Sequence, residues 1–140
     1  MYVARASITI HATAGKVWDA LTNPDMIRQY LFGTEATSEW KGGSSIAYKG
    51  VWEGKSYEDK GVVVKVEPEK LLETTYWSKM SGLPDTPENY KKVTYELMAG
   101  EEGTTLTITQ DNDQTEEGRK HSEDNWNLVL LGLKKLLERK

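Results

Sequence analysis

After Gly33, about eighty residues read as strand and turn, and one long helix then runs to the end of the chain. An antiparallel sheet with one apolar face must bury that face, and residues 116–140 form the only element long enough to cover it. The sheet is therefore predicted to wrap around the helix. The helix itself has two unlike halves. Trp126, Val129, Leu130, Leu133, Leu136 and Leu137 recur in steps of three and four, the spacing of a core-facing stripe. One and two turns earlier, the same face carries Ser122 or Glu123 and Arg119, which are polar. The back half reads as core, and the front half must face something else.

The strands follow from period-2 alternation. Ala6, Ile8 and Ile10 share one side of a first strand, with Arg5, Ser7, Thr9 and His11 on the other. Two short helices come next. Thr13 caps one that carries Val17, Trp18 and Leu21 on a single face; Asn23 and Pro24 open a second that presents Ile27 with Tyr30 or Leu31. The glycines of "KGG" turn "TEATSEW" into "SSIAYKGVW", and "PEK" turns a long strand into "LLETTYW". In that long strand Val62, Val64 and Val66 are expected on one face. "KKVTYELM" then turns at "AGEEG" into "TTLTITQD". Residues 78–89, with glycine and two prolines, form the one long loop. Ile46, Tyr48 and Trp52, then Leu72, Thr74 and Tyr76, Val93, Tyr95 and Leu97, and finally Leu106, Ile108 and Gln110 are the inward faces this alternation gives.

Bulk properties exclude several classes. The 140 residues are the usual size of one domain, assigned here to 1–140, and no apolar run approaches the roughly 20 residues of a membrane span. The first residues alternate like a strand, so no secretory signal is expected, and the chain has no cysteine for disulfides, thiolate chemistry or a cysteine metal site. A cytoplasmic location fits. With 18 basic and 22 acidic side chains the net charge is −4, and the basic residues form no stripe, so nucleic acid and membrane surfaces are not expected partners.

The order and spacing of "KVWDALTNPDMIRQYLFG", "KGGSS", "GVVVKVEPEKLLETTYW", "VTYELMAGEEGTTLTIT" and "NWNLVLLGLKKLLE" resemble the START-like, birch-pollen-allergen-like superfamily. Within it the chain looks most like the homologues of the activator of the heat-shock-protein ATPase. The resemblance covers nearly the whole chain and implies an α+β helix-grip fold, with about seven curved antiparallel strands around the C-terminal helix. Three positions depart from the usual pattern: Tyr30 replaces a tryptophan, Gln110 a histidine and Asn125 a glycine. The resemblance also implies that the front of the last helix roofs a cavity. Tyr48, Trp52, Tyr76, Tyr95, Gln110, Ser122 and Trp126 are the candidate ligand-binding residues, and five tryptophans and seven tyrosines against one Phe suit a site that needs area with a polar handle.

A catalyst is not legible. His11 lies opposite Ile8 and Ile10, His121 lies off the Trp126 stripe, and neither is expected to look inward; no metal or cofactor is expected. Glu39, Glu53, Glu58 and Asp59 are placed on a solvated rim. Glu116, Glu117, Glu123 and Asp124 at one end of the helix, with Lys134, Lys135, Arg139 and Lys140 at the other, complement its dipole. The expected function is a small binding protein that holds a hydrophobic or aromatic small molecule, such as a polyketide, flavonoid-like ring or lipid. A cyclase- or hydrolase-like enzyme on such a ligand is one alternative. A chaperone-binding module, after the family's namesake, is another.

Overall fold

In the computed structural model, residues 2–31, 33–52, 54–78, 82–113 and 115–138 are described. Seven strands form one sheet in the order β1-β7-β6-β5-β4-β3-β2, every neighbouring pair antiparallel. They are β1 (Tyr2–Ile10), β2 (Glu35–Thr37), β3 (Ser45–Trp52), β4 (Lys55–Glu67), β5 (Leu71–Ser78), β6 (Lys91–Gly100) and β7 (Gly103–Asp113). Helices α1 (Ala14–Thr22) and α2 (Pro24–Tyr30) follow β1, and α3 (Glu116–Leu137) ends the chain. This is the α+β helix-grip architecture.

Asn23 separates the two short helices by serving both. Its backbone N–H donates to the Asp19 carbonyl at 2.8 Å and closes α1, while its Oδ1 accepts from the Asp25 N–H at 3.0 Å and opens α2. Pro24 occupies the first position of α2, where a missing N–H costs nothing. The Thr13 hydroxyl caps α1 through the Lys16 amide, and Thr115 caps α3 through the Gly118 amide.

The back half of α3 is held as its spacing requires. Leu130 and Leu133 are buried against Ala6, Ile10, Val17, Leu21, Leu97 and Leu106, each leucine contributing about 1.5–3 kcal/mol of apolar burial, and Val129 is buried beside them on the helix. A second cluster, Ile46, Val63 and Leu72, lies under the β3–β5 part of the sheet.

Strand β4 departs from the expected alternation. Val62 and Val64 are 40% and 49% exposed, whereas Val63 is fully buried. The register with β5 shifts between Val63 and Lys65, so a bulge returns Val66 to the inner side, where it packs against the second cluster. Beside the bulge, the Val62 N–H donates to Thr75 Oγ1. A Cβ on Gly61 would collide with the Thr75 carbonyl oxygen, so this position requires glycine.

The edge strand β1 is covered by α3 along its free side. The Arg5 N–H donates to Glu123 Oε2 at 3.1 Å, the His11 N–H to Glu138 Oε2 at 2.9 Å, and Lys134 Nζ to the Thr9 carbonyl at 2.9 Å. Alternate backbone groups of an edge point away from the sheet, and α3 places a side chain at three of them. The charges of Glu123 and Lys134 therefore do more than complement a dipole. On its other side β1 pairs with β7 through hydroxyl contacts, Ser7 with Thr107 and Thr9 with Thr105.

Candidate functional site: the cavity under the last helix

Between the sheet, α2 and the front of α3 lies a cavity of about 660 Å³. Its walls are apolar and aromatic: Leu72, Val93 and Ile108 from the sheet, Leu21, Ile27 and Tyr30 from α1 and α2, with Trp40, Tyr48, Tyr57, Tyr76, Tyr95 and Trp126 around them. His121, Asn125 and Leu128 also border it while remaining exposed, and they mark its opening. His121 thus does face the cavity, at the mouth, because the front of α3 stands off the sheet and turns a wider arc toward the space beneath it. His11 is on the surface, as its strand face requires.

Of the candidate residues, Tyr48, Tyr76, Tyr95, Gln110 and Trp126 border one cavity. Ser122 stands one hydrogen bond behind the wall. Trp126 Nε1 donates to Gln110 Oε1 at 3.0 Å; Gln110 Nε2 donates to Ser122 Oγ at 3.1 Å; and the Ser122 hydroxyl donates to Asp113 Oδ1 at 3.2 Å. Asp113, 2% exposed, pairs with Lys91 Nζ at 2.6 Å. This network is what the polar front of α3 faces: it fixes the Trp126 indole edge-on to Tyr95, with centroids 6.1 Å apart. Arg119 does not reach the cavity; it pairs with Glu116 and Glu123 on the outer side of α3. The Trp52 side chain and Glu53, Arg139 and Lys140 lie outside the described residues.

Asp59 is the main correction to the sequence reading. Glu39 and Glu58 are on the surface, but Asp59 is only 9% exposed and sits in the cavity wall between Tyr48 and Ser78 of the flanking strands. The Tyr76 hydroxyl donates to its Oδ2 at 2.5 Å, and its Oδ1 has no hydrogen-bond partner. The reason is the β4 bulge. With Val63 inward, Gly61 and Asp59 share that face, whereas an alternation with Val62, Val64 and Val66 inward would turn Asp59 outward.

Trp40 is a cavity residue that sequence reasoning missed. It holds φ 56°, a left-handed conformation uncommon for a bulky side chain, and its buried Nε1 lacks a partner. The Tyr57 and Thr34 hydroxyls hydrogen-bond to each other at the same wall. Burial pushes the Tyr30, Tyr48, Tyr76 and Tyr95 phenols well above the ordinary range, and for Tyr76 the bond to Asp59 adds to it. All four stay protonated, so the Tyr30 hydroxyl keeps donating to the Ala20 carbonyl and Tyr76 to Asp59. Among the described residues no group of three acidic, histidine or cysteine side chains converges on a metal position.

A curved antiparallel sheet gripping a C-terminal helix over such a cavity defines the START-like class, whose members are ligand-binding or Hsp90-activator-like modules. Residues 11–138 match the family described as Activator of Hsp90 ATPase homolog 1-like protein, and the chain belongs to that family. Among solved structures it is similar to ChR145 from Cytophaga hutchinsonii, with 48% identity, a TM-score of 0.87, and 99% of this chain and 94% of that one covered. The Aha1 dimer from Colwellia psychrerythraea shares the fold at 23% identity and TM-score 0.76, covering 99% and 98%. DynU16, from the dynemicin biosynthetic locus, does so at 22% identity and TM-score 0.80; 98% of this chain aligns with 47% of that one. Among curated proteins none matches the chain.

Proposed function

We propose that this protein is a cytoplasmic binding module that holds one hydrophobic or aromatic small molecule between its sheet and the front of α3. The observation that carries the reading is the cavity itself, about 660 Å³, within the range of drug-sized ligand sites and walled by rings that offer both area and hydroxyl groups. Tyr48, Tyr76, Tyr95, Gln110 and Trp126 would touch the ligand, with Ser122 holding Gln110 in place. A polyketide, a flavonoid-like aromatic or a compact lipid fits that chemistry. The cysteine-free composition supports the location.

The test is a titration of ¹⁵N-labelled protein with a panel of lipophilic ring compounds, read at the tryptophan indoles. Saturable shifts at Trp126 and Trp40, with Trp77 unmoved, are expected, since Trp77 stacks on Tyr90 outside the cavity. A panel in which nothing moves Trp126 or Trp40 removes the reading.

The family's name favours a second reading, a chaperone-binding module. It predicts that the purified chain accelerates ATP hydrolysis by an Hsp90-type chaperone. No acceleration and no complex at equimolar concentration would discard it.

A further inference from the structure

Among the described residues that border the cavity, Asp59 is the only acidic side chain, no lysine or arginine is present, and His121 stands at the mouth. No described basic group lies within ion-pair distance of Asp59. Of its two oxygens, Oδ2 is taken by Tyr76, and Oδ1 is buried without a partner among the described residues. An acceptor left unsatisfied in an apolar wall is destabilising, a penalty that a surface position would avoid. Tyr48 and Tyr76 stand against each other beside it, centroids 6.1 Å apart and tilted by 59°.

We infer that Asp59 is a specificity-determining residue, and that the ligand presents an N–H or O–H donor, a protonated amine or a hydroxyl, to its carboxylate. The inference rests on the cavity being a binding site. It divides the lipophilic candidates by chemistry. Ring amines and ring alcohols match the wall, while fatty acids and other carboxylates would bring acceptor oxygens against the acceptor oxygens of Asp59.

The experiment compares four compounds with one ring body, namely naphthylethylamine, naphthylethanol, naphthylacetate and ethylnaphthalene, titrated against the protein and Asp59→Asn. Asparagine keeps the shape and an acceptor for Tyr76, but offers the ligand an amide in place of a carboxylate. With the unmodified protein the amine and the alcohol are expected to bind at least about ten-fold more tightly than the acetate. In Asp59→Asn that gap should close or reverse, with ethylnaphthalene binding unchanged. A lead of the amine over the alcohol supports the proposal through charge; parity of the two supports it through hydrogen bonding alone. Binding of ethylnaphthalene together with equal binding of all three head groups overturns the inference and leaves the cavity reading standing. Failure of all four compounds overturns both. The wild-type series decides the matter even where Asp59→Asn does not fold.

Discussion

Lys91 and Asp113 are a pair whose two halves are not equivalent. The Asp113 side chain is 2% exposed and that of Lys91 31%, so removing either partner strands a group in a different environment. Lys91→Met leaves a buried carboxylate with only the Ser122 hydroxyl and a 3.4 Å contact from Gln110 Nε2, and the expected loss is about 3 kcal/mol or more. Asp113→Asn leaves an ammonium that can turn to water and an amide that still accepts from Ser122; about 1–2 kcal/mol is expected. Urea denaturation separates the two as shifts in midpoint at constant m, and equal losses would contradict the asymmetry. At this scale the sequence was legible where alternation was regular: Tyr48, Tyr76, Tyr95 and Gln110 all face the space that period-2 counting assigned them. It was not legible at Asp59, whose face depends on a bulge several residues downstream, nor at Trp40, whose direction depends on one left-handed backbone angle. The left-handed angle leaves no mark in residue type, and the bulge leaves only Gly61 within the strand.

Among the elements, α3 has a second task besides covering the core. Glu123 and Glu138 accept N–H bonds from the edge strand β1, and those bonds, ahead of the neighbouring Arg119 and Lys134, hold both carboxyls below the usual range. A depressed carboxylate contributes stability that is complete above its unfolded pKa and is lost as pH falls through its folded one. Glu123→Gln/Glu138→Gln is therefore expected to melt below the wild type at pH 7. The gap should narrow as pH falls below the ordinary glutamate range and vanish once pH has dropped through the depressed folded-state range, where the wild-type carboxyls are protonated as well. Thermal melts across that range check it; a gap independent of pH would mean that the side chains act through shape rather than charge. The existence and order of the elements were legible because most have their own signal, a cap at Thr13 or Asn23 and a turn at Gly43 or Gly103, whereas β2 is shorter than the stretch "TEATSEW" suggested. The clasp of α3 on β1 was not, since it joins residues more than a hundred positions apart, and charges at helix ends already have a local explanation.

Across the whole molecule, a cavity of this size forfeits packing on its lining, and the loss falls on the half of α3 that has least else to hold it. Leu130 and Leu133 are buried in the main cluster and Val129 is buried next to them, whereas residues 116–125 rest on polar contacts and an open mouth. Stability should therefore be graded along one continuous helix. Amide hydrogen exchange is expected to show residues 129–137 exchanging only by global unfolding, and residues 118–126 opening at lower free energy. A ligand that fills the cavity supplies the front half with the apolar contacts it lacks. At a free concentration of a hundred times Kd it adds about 2.7 kcal/mol, which for a chain of this length raises Tm by roughly 5–11 °C. The protection it adds should be greatest in residues 118–126, because the back half is already fastened to the sheet. Uniform protection along α3 without ligand would show that the Gln110–Asp113–Ser122 network alone makes the roof rigid, and the cavity would then be a fixed void rather than a site that closes on its ligand.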